Sequence, residues 1–306
     1  MKLKFKRFFG VALRIVPFAL IAAVLLSVAF YPKKKEAQGE QKRVVRVWNV
    51  DTFEGGRGSR TSFLKRVAAT VEKTDSGLYY LISSYTPEGA RQSYADGIRP
   101  DLLSYGIGLS VYTESCLPLP YRFAGGETTE GCLAYPWCKG AYYLFSLTDD
   151  FESEGACALS SGGYNLVEIA AAVSGIGGET VDSLSAYVAF LSGGYRYLLG
   201  TQRDVNRFTA RGKEVYRKEL TGYCDLYQYV SVLSAEKRKD CMKLVDALLS
   251  EEVQNCLSDI GMLSVRRDET QRTASVFSDE NALAEMRRAA GQQDAGKILD
   301  KFLKNV

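Results

Sequence analysis

The sequence predicts an α/β protein, and three observations carry the prediction. Strand-like and helix-like periodicities alternate from residue 44 onward, and turns containing Gly or Pro separate them. The composition is ordinary for a globular chain: 46% hydrophobic and 25% charged over 306 residues, enough for one large or two modest domains. Alternation of this kind places parallel strands in a sheet joined by right-handed crossovers.

The first element, VVRVWNV at 44–50, alternates and is rich in β-branched residues, so it reads as a strand. A Gly-rich turn, EGGRGSR at 54–60, follows. Phe63, Leu64, Val67, Ala68 and Val71 then recur at helical spacing with Ser59 placed as a cap, which predicts an amphipathic helix over about 60–73. LYYLISSY (78–85) is a second strand, Pro87 opens a helix, and DLLSYG (101–106) is a third strand, completing a β-α-β-α-β succession. The stretch CLAYPWCKGAYYLFS (132–146) is apolar and aromatic around one proline and reads as a single strand linking two lobes. Helical patterns broken by glycines run from Tyr164 to Gly200, and DLYQYVSVL (225–233) is strand-like. Cys241, Leu244, Val245, Leu248 and Leu249 share one side of a long helix. Ser250 caps another helix, which Gly261 stops.

Charge and residue usage exclude several function classes. Residues 1–43 hold ten Lys or Arg against two acids, leaving 29 basic and 34 acidic residues in the body. A mildly acidic body lacks the broad basic face that nucleic acid requires. The chain has no histidine, so the usual general base and the commonest metal ligand are missing and histidine-dependent hydrolase triads are excluded. Seven cysteines include no C-x-x-C pair, so neither a metal site nor a redox motif is expected, and no cofactor is implied. A loop bridge such as Cys132 to Cys138 is compatible with the spacing; the odd count and the chain length favour buried free thiols.

The N-terminus reads as a membrane-targeting segment. Lys2, Lys4, Lys6 and Arg7 precede an apolar run from Ile15 to Tyr31, and Lys33, Lys34 and Lys35 follow it. At ~1.5 Å per residue the run spans roughly 26 Å, and extension back to Phe8 covers a hydrocarbon core of about 30 Å. A signal anchor and a cleaved signal peptide both fit, with Ser27 and Ala29 offering a small-x-small cleavage site. Residues 32–43 form a polar linker. The body is therefore expected outside the cell, held by the N-terminal helix, or secreted after cleavage near Ala29.

Five segments in order, WNVDTFEGGRGSR (48–60), RPDLLSYGIG (99–108), AYPWCKGAYYL (134–144), AFLSGGYRYLLGTQRD (189–204) and LLSEEVQNCLSDIGMLSV (248–265), resemble the extracellular solute-binding proteins of ABC importers, of the carbohydrate-binding type. The resemblance implies a two-lobed, type II periplasmic-binding-protein-like fold with hinge crossings near 132–138, 224–230 and 263–267. One lobe would comprise residues 44–133 and 229–264, the other 134–228 and 265–306. It also implies a small solute, with sugar as the expected class, bound in the cleft between the lobes, and an ABC permease as membrane partner. In such a family Trp48, Asp51 and Glu54 sit at the end of the first strand, where open α/β sheets place ligands. Tyr135 and Trp137 lie on the crossover, Trp137 offering a face for a sugar ring. Gln202, Arg203 and Asp204 occupy the cleft-facing loop of the second lobe, with Arg203 as a fork of donors and Asp204 orienting it. Catalytic and metal-binding residues are not expected. The other classes compatible with the residues are a membrane-anchored binding module for sensing or envelope signalling, and an extracellular glycosidase using Asp51 with Glu54 or Asp149 with Asp150 as paired acids.

Overall fold

Fourteen strands and nine α-helices alternate along the residues that the computed structural model describes, 42–266 and 271–305. The expected membrane segment at residues 8–31 lies outside them, and among the described residues no helix is long and apolar enough to cross a membrane. The opening succession follows the sequence pattern: β1 (Arg43–Val50), α1 (Arg60–Thr74), β2 (Leu78–Tyr85), α2 (Pro87–Ala95) and β3 (Leu102–Tyr105). Ser59 caps α1 by accepting from the Ser62 N–H, and Phe63, Leu64, Val67, Ala68 and Val71 are the face it buries. Thr86 caps α2, with Pro87 in its first turn, where a missing N–H costs nothing.

Two five-stranded sheets organise the body. β1 is flanked by β2 and β3 in parallel, and the first sheet continues through β12 (Tyr227–Val232) to β6 (Tyr135–Lys139), both joined antiparallel, in the order β2-β1-β3-β12-β6. A small hairpin, β4 (Glu127–Thr128) with β5 (Gly131–Cys132), precedes β6. The second sheet has the order β11-β7-β10-β8-β9, from β7 (Tyr142–Ser146), β8 (Cys157–Ser161), β9 (Glu179–Asp182), β10 (Tyr197–Thr201) and β11 (Tyr216–Leu220). Its β10, β8 and β9 run parallel, while β7 and β11 are antiparallel neighbours. The architecture is thus mixed α/β with two sheet-containing lobes.

The chain crosses between the sheets at Gly140–Ala141, so the expected single strand at 132–146 is two strands in different sheets. Tyr135–Lys139, assigned from the sequence to the second lobe, belongs to the first sheet because it pairs with β12. The break falls at Gly140, where a Cβ would meet the Gln202 side chain at 2.4 Å and where the N–H donates to Leu226 O at 2.6 Å. The return crossing runs through Gly222–Leu226 into β12.

Helices cover the sheets. α6 (Arg238–Leu249) packs with α1 and on β12 and β6, burying Cys241, Leu244, Val245 and Leu248, and Ser250 caps the short α7 (Glu251–Asn255) that follows. α4 (Ser183–Leu191) and α5 (Gln202–Ala210) cover one face of the second sheet, enclosing a separate core of Tyr143, Phe145, Tyr187, Phe190 and Phe208. α3 (Val167–Val173) lies on β8 and β10 and meets α8 (Glu280–Ala290) and α9 (Ala295–Leu299). β13 (Arg272–Ala274) and β14 (Leu303–Asn305), which pair antiparallel across the two helices between them, lie beside the return crossing, Cys224 N–H donating to Arg272 O at 2.9 Å. Six of the seven cysteines are buried free thiols, Cys132 and Cys138 among them, and Cys256 is exposed.

Candidate functional site: the cleft between the sheets

The parallel strands of both sheets end toward each other, which is where an open α/β sheet leaves room for a ligand. From the first sheet comes the loop after β1; from the second come the loop after β8, the start of α4 and the start of α5. They enclose a pocket of about 490 Å³ lined by Asp51, Thr52, Phe53, Glu54, Gly55, Gly56, Arg60, Gly163 and Arg203. A deeper recess of about 10 Å³, lined by Ser160, Asn165, Ser183 and Thr201 among others, is too small for more than a single water. The inner end of the cleft is therefore shut.

A buried polar network holds the wall from the first lobe. Asn49 at the end of β1 is fully buried, and its Oδ1 accepts from Ser104 Oγ (2.9 Å) and Gln228 Nε2 (3.3 Å). Its Nδ2 donates to Asp51 Oδ1 (2.9 Å) and Thr61 Oγ1 (3.0 Å). Asp51 also pairs with Arg60 Nε at 2.8 Å. The Arg60 guanidinium is buried, lies over the Phe53 ring at 4.3 Å, and donates through Nη2 to Phe53 O, so it ties the whole 51–60 turn back on itself. Its Nη1 and the Thr52 Oγ1 are buried without partners.

Helix caps fix the wall from the second lobe. Thr201 is the N-cap of α5, and Asp204 closes the capping box by accepting from the Thr201 N–H at 3.1 Å. Asp204 is buried, and burial pushes its carboxyl up to about 6. Its ion-pair partner is Arg207 (3.2 Å), not Arg203 as the sequence suggested. Arg203 instead donates to Ser183 Oγ at 2.9 Å and pairs across the cleft with Glu54.

Further contacts hold the two walls together. Tyr164 N–H donates to Thr52 O (2.8 Å), and Gln202 spans the crossing, its Oε1 accepting from Ala141 N–H (3.0 Å) and its Nε2 donating to Glu54 O (3.3 Å). Gly163 has φ of +62°, and a Cβ there would lie 2.7 Å from Thr52 O, so the approach of the loops requires glycine.

Of the residues expected at the site, the structure brings Asp51, Glu54, Gln202 and Arg203 together, with Asp204 buried at the edge. It does not place the aromatic ones there. Trp137 is wholly buried, stacked on Phe63 at 5.9 Å, with Nε1 donating to Ser104 Oγ at 3.1 Å. The ring that was expected to meet solute is covered by Phe63 of α1. Trp48 is buried against Tyr85 at 4.5 Å. Tyr135 joins Tyr121 and Phe123 in an aromatic cluster away from the pocket. The sequence reading missed Arg60, Ser183 and the Asn49–Ser104–Gln228 network. Only Arg60 carried a signal, an Arg closing a Gly-rich turn that begins at Glu54, three residues after Asp51.

No family model and no curated protein matches the sequence. Among solved structures, the sugar-binding protein MalE from the phytopathogen Xanthomonas citri aligns with a TM-score of 0.60 over 85% of this chain and 96% of its own, at 14% identity. The maltose-maltodextrin binding protein of the thermoacidophilic bacterium Alicyclobacillus acidocaldarius gives 0.55 over 83% and 96%, at 12% identity. Iron-bound HitA from Pseudomonas aeruginosa gives 0.50 over 81% and 99%, at 14% identity. The likeness is one of fold, and the chain has the type II periplasmic-binding-protein-like fold.

Proposed function

We propose that the protein is the extracellular solute-binding subunit of an ABC importer, capturing a small polar solute in the cleft between its lobes and releasing it unchanged to a permease. The observation that carries this reading is the cleft itself: charged groups from two separate lobes converge at the carboxyl ends of parallel strands, in a fold shared with a sugar-binding and an iron-bound protein. A sugar was the solute class expected from the resemblance. With both tryptophans withdrawn into the core and the Phe53 ring buried under Arg60, the pocket offers carboxylates and the Arg203 guanidinium in place of a broad aromatic platform.

Capture without turnover fits the chemistry of the wall. The chain has no histidine. Asp51 is committed to Arg60 within its own turn, so it does not stand free as an acid or base. Asp150 lies in a surface loop, held down to about 2 by the Ser153 hydroxyl and the backbone N–H groups of Glu152 and Ser153. Residues 8–31 are proposed to hold the body on the outer face of the cytoplasmic membrane; recovery of intact protein in the cytosolic fraction contradicts that placement.

The test is a thermal-shift screen of the full-length protein in mild detergent against sugars, amino acids, oxyanions and short peptides. A solute at about 100 times its Kd stabilises the native state by about 2.7 kcal/mol, which is a clear rise in Tm. Conversion of the bound solute to product, abolished by Asp51→Asn, contradicts the reading and favours a carboxylate enzyme.

A further inference from the structure

Resting on the reading of the cleft as a solute site, we infer that the solute carries an oxyanionic group, a carboxylate or a phosphate, which takes the place of the Glu54 side chain at Arg203. Glu54 is then a built-in counter-ion that closes the cleft while it is empty.

The argument starts from the asymmetry of the pair. The Arg203 side chain is 19% exposed and that of Glu54 is 45% exposed. Arg203 is fixed in its wall by Ser183 Oγ and by its place in the first turn of α5, whereas Glu54 projects from the turn after β1. When the lobes part, Glu54 returns to water at little cost, but the guanidinium remains in a partly desolvated wall that needs a negative partner. A cation replacing Arg203 at Glu54 relieves no comparable cost.

The neighbouring charges point the same way. Asp51 is already paired with Arg60 and Asp204 with Arg207, so among the described cleft groups those carboxylates are committed elsewhere. Withdrawal of Glu54 leaves one uncompensated positive charge beside Ser183 Oγ. A planar guanidinium with a hydroxyl at 2.9 Å matches two oxygens of a carboxylate or phosphate. The recess of about 10 Å³ below the pair leaves no room for a solute on that side, so an anion reaching Arg203 arrives from the pocket of about 490 Å³ and meets the Glu54 carboxylate there.

Calorimetric titration of the full-length protein and of Glu54→Gln, Glu54→Ala and Arg203→Gln tests this, with glutarate, inorganic phosphate and maltose as probes at one ionic strength set with chloride. The expected result is that glutarate or phosphate binds both Glu54 variants at least tenfold more tightly than the wild type and does not bind Arg203→Gln; which of the two anions responds identifies the group. Equal anion affinity in all four proteins, or none in any, overturns the inference. Maltose separates the two readings: maltose bound with the same affinity by the wild type and by Arg203→Gln sinks the oxyanion inference and leaves solute capture standing. Failure of all three probes, with both Glu54 variants folded by circular dichroism, counts against both.

Discussion

Two arginine–carboxylate pairs line one cleft and differ in what they join. Asp51 and Arg60 belong to the same turn of the first lobe, and the pair is continuous with a buried network that runs through Asn49 and Ser104 to Trp137. Glu54 and Arg203 belong to different lobes, and neither has a comparable anchor in the core. The same chemistry therefore does two jobs. Within a lobe it fixes the shape of the loop after β1, because both partners belong to one turn; between lobes, on the reading proposed above, it sets how readily the cleft opens.

The comparison breaks most visibly at the buried end of the network. Trp137→Ala removes the stack on Phe63 and the bond to Ser104 and leaves a cavity in the first lobe, with an expected loss of about 3–5 kcal/mol in chemical denaturation followed by circular dichroism. A loss near zero would mean that the ring is not part of the core. Next is Arg60→Met, which deprives Phe53 O of a charged donor and Asp51 of its counter-ion. Because Asp51 is 43% exposed and can turn to water, the expected loss is only about 2 kcal/mol.

How much of this was legible in the sequence follows the same division. β1, α1, β2 and α2 were readable because period and caps coincide, as at Ser59 and Pro87. The short strands β8, β9 and β11 were not; β9 (ETVD) and β11 (YRKEL) are polar and mostly exposed edges whose pairing comes from the sheet and not from local pattern. The crossing at Gly140 hid inside a continuous apolar run. Trp137 misled for a related reason: an aromatic beside a crossing has the same local signature whether it faces a cleft or a core, and the deciding fact is the Phe63 ring of α1, far earlier in the chain. Arg203 and Glu54 were each legible as cleft residues, but their pairing is tertiary.

A third prediction concerns the return crossing. Asp225 is fully buried, accepts from Tyr142 OH (2.7 Å) and Leu166 N–H (3.1 Å), and burial pushes its carboxyl up to about 6. A carboxyl that binds its proton more tightly in the folded state than in the unfolded chain favours folding fully below about pH 4, and that contribution is lost as pH rises through 6. Asp225→Asn should therefore remove about 1–2 kcal/mol of the stability gained on going from pH 7 to pH 4.5, read by urea denaturation at both pH values. An unchanged pH dependence would mean that Asp225 titrates normally. The smallest effect is expected for Arg203→Gln, about 0.5 kcal/mol, because the pair it breaks is partly solvated and lies between lobes. A loss as large as that of Arg60→Met would erase the distinction between the pairs.

The central claim, that the Glu54–Arg203 pair governs the opening of the cleft, is tested most directly by a distance between the lobes. Cys256 is the one exposed cysteine, next to the Gly261 turn of the first lobe, and Thr209→Cys supplies a second label site at the exposed end of α5. With spin labels at both positions in the full-length protein, pulsed dipolar spectroscopy should give a single short distance in the otherwise unaltered chain and an added longer population in Glu54→Gln and in Arg203→Gln. The same single distance in all three proteins would contradict the account.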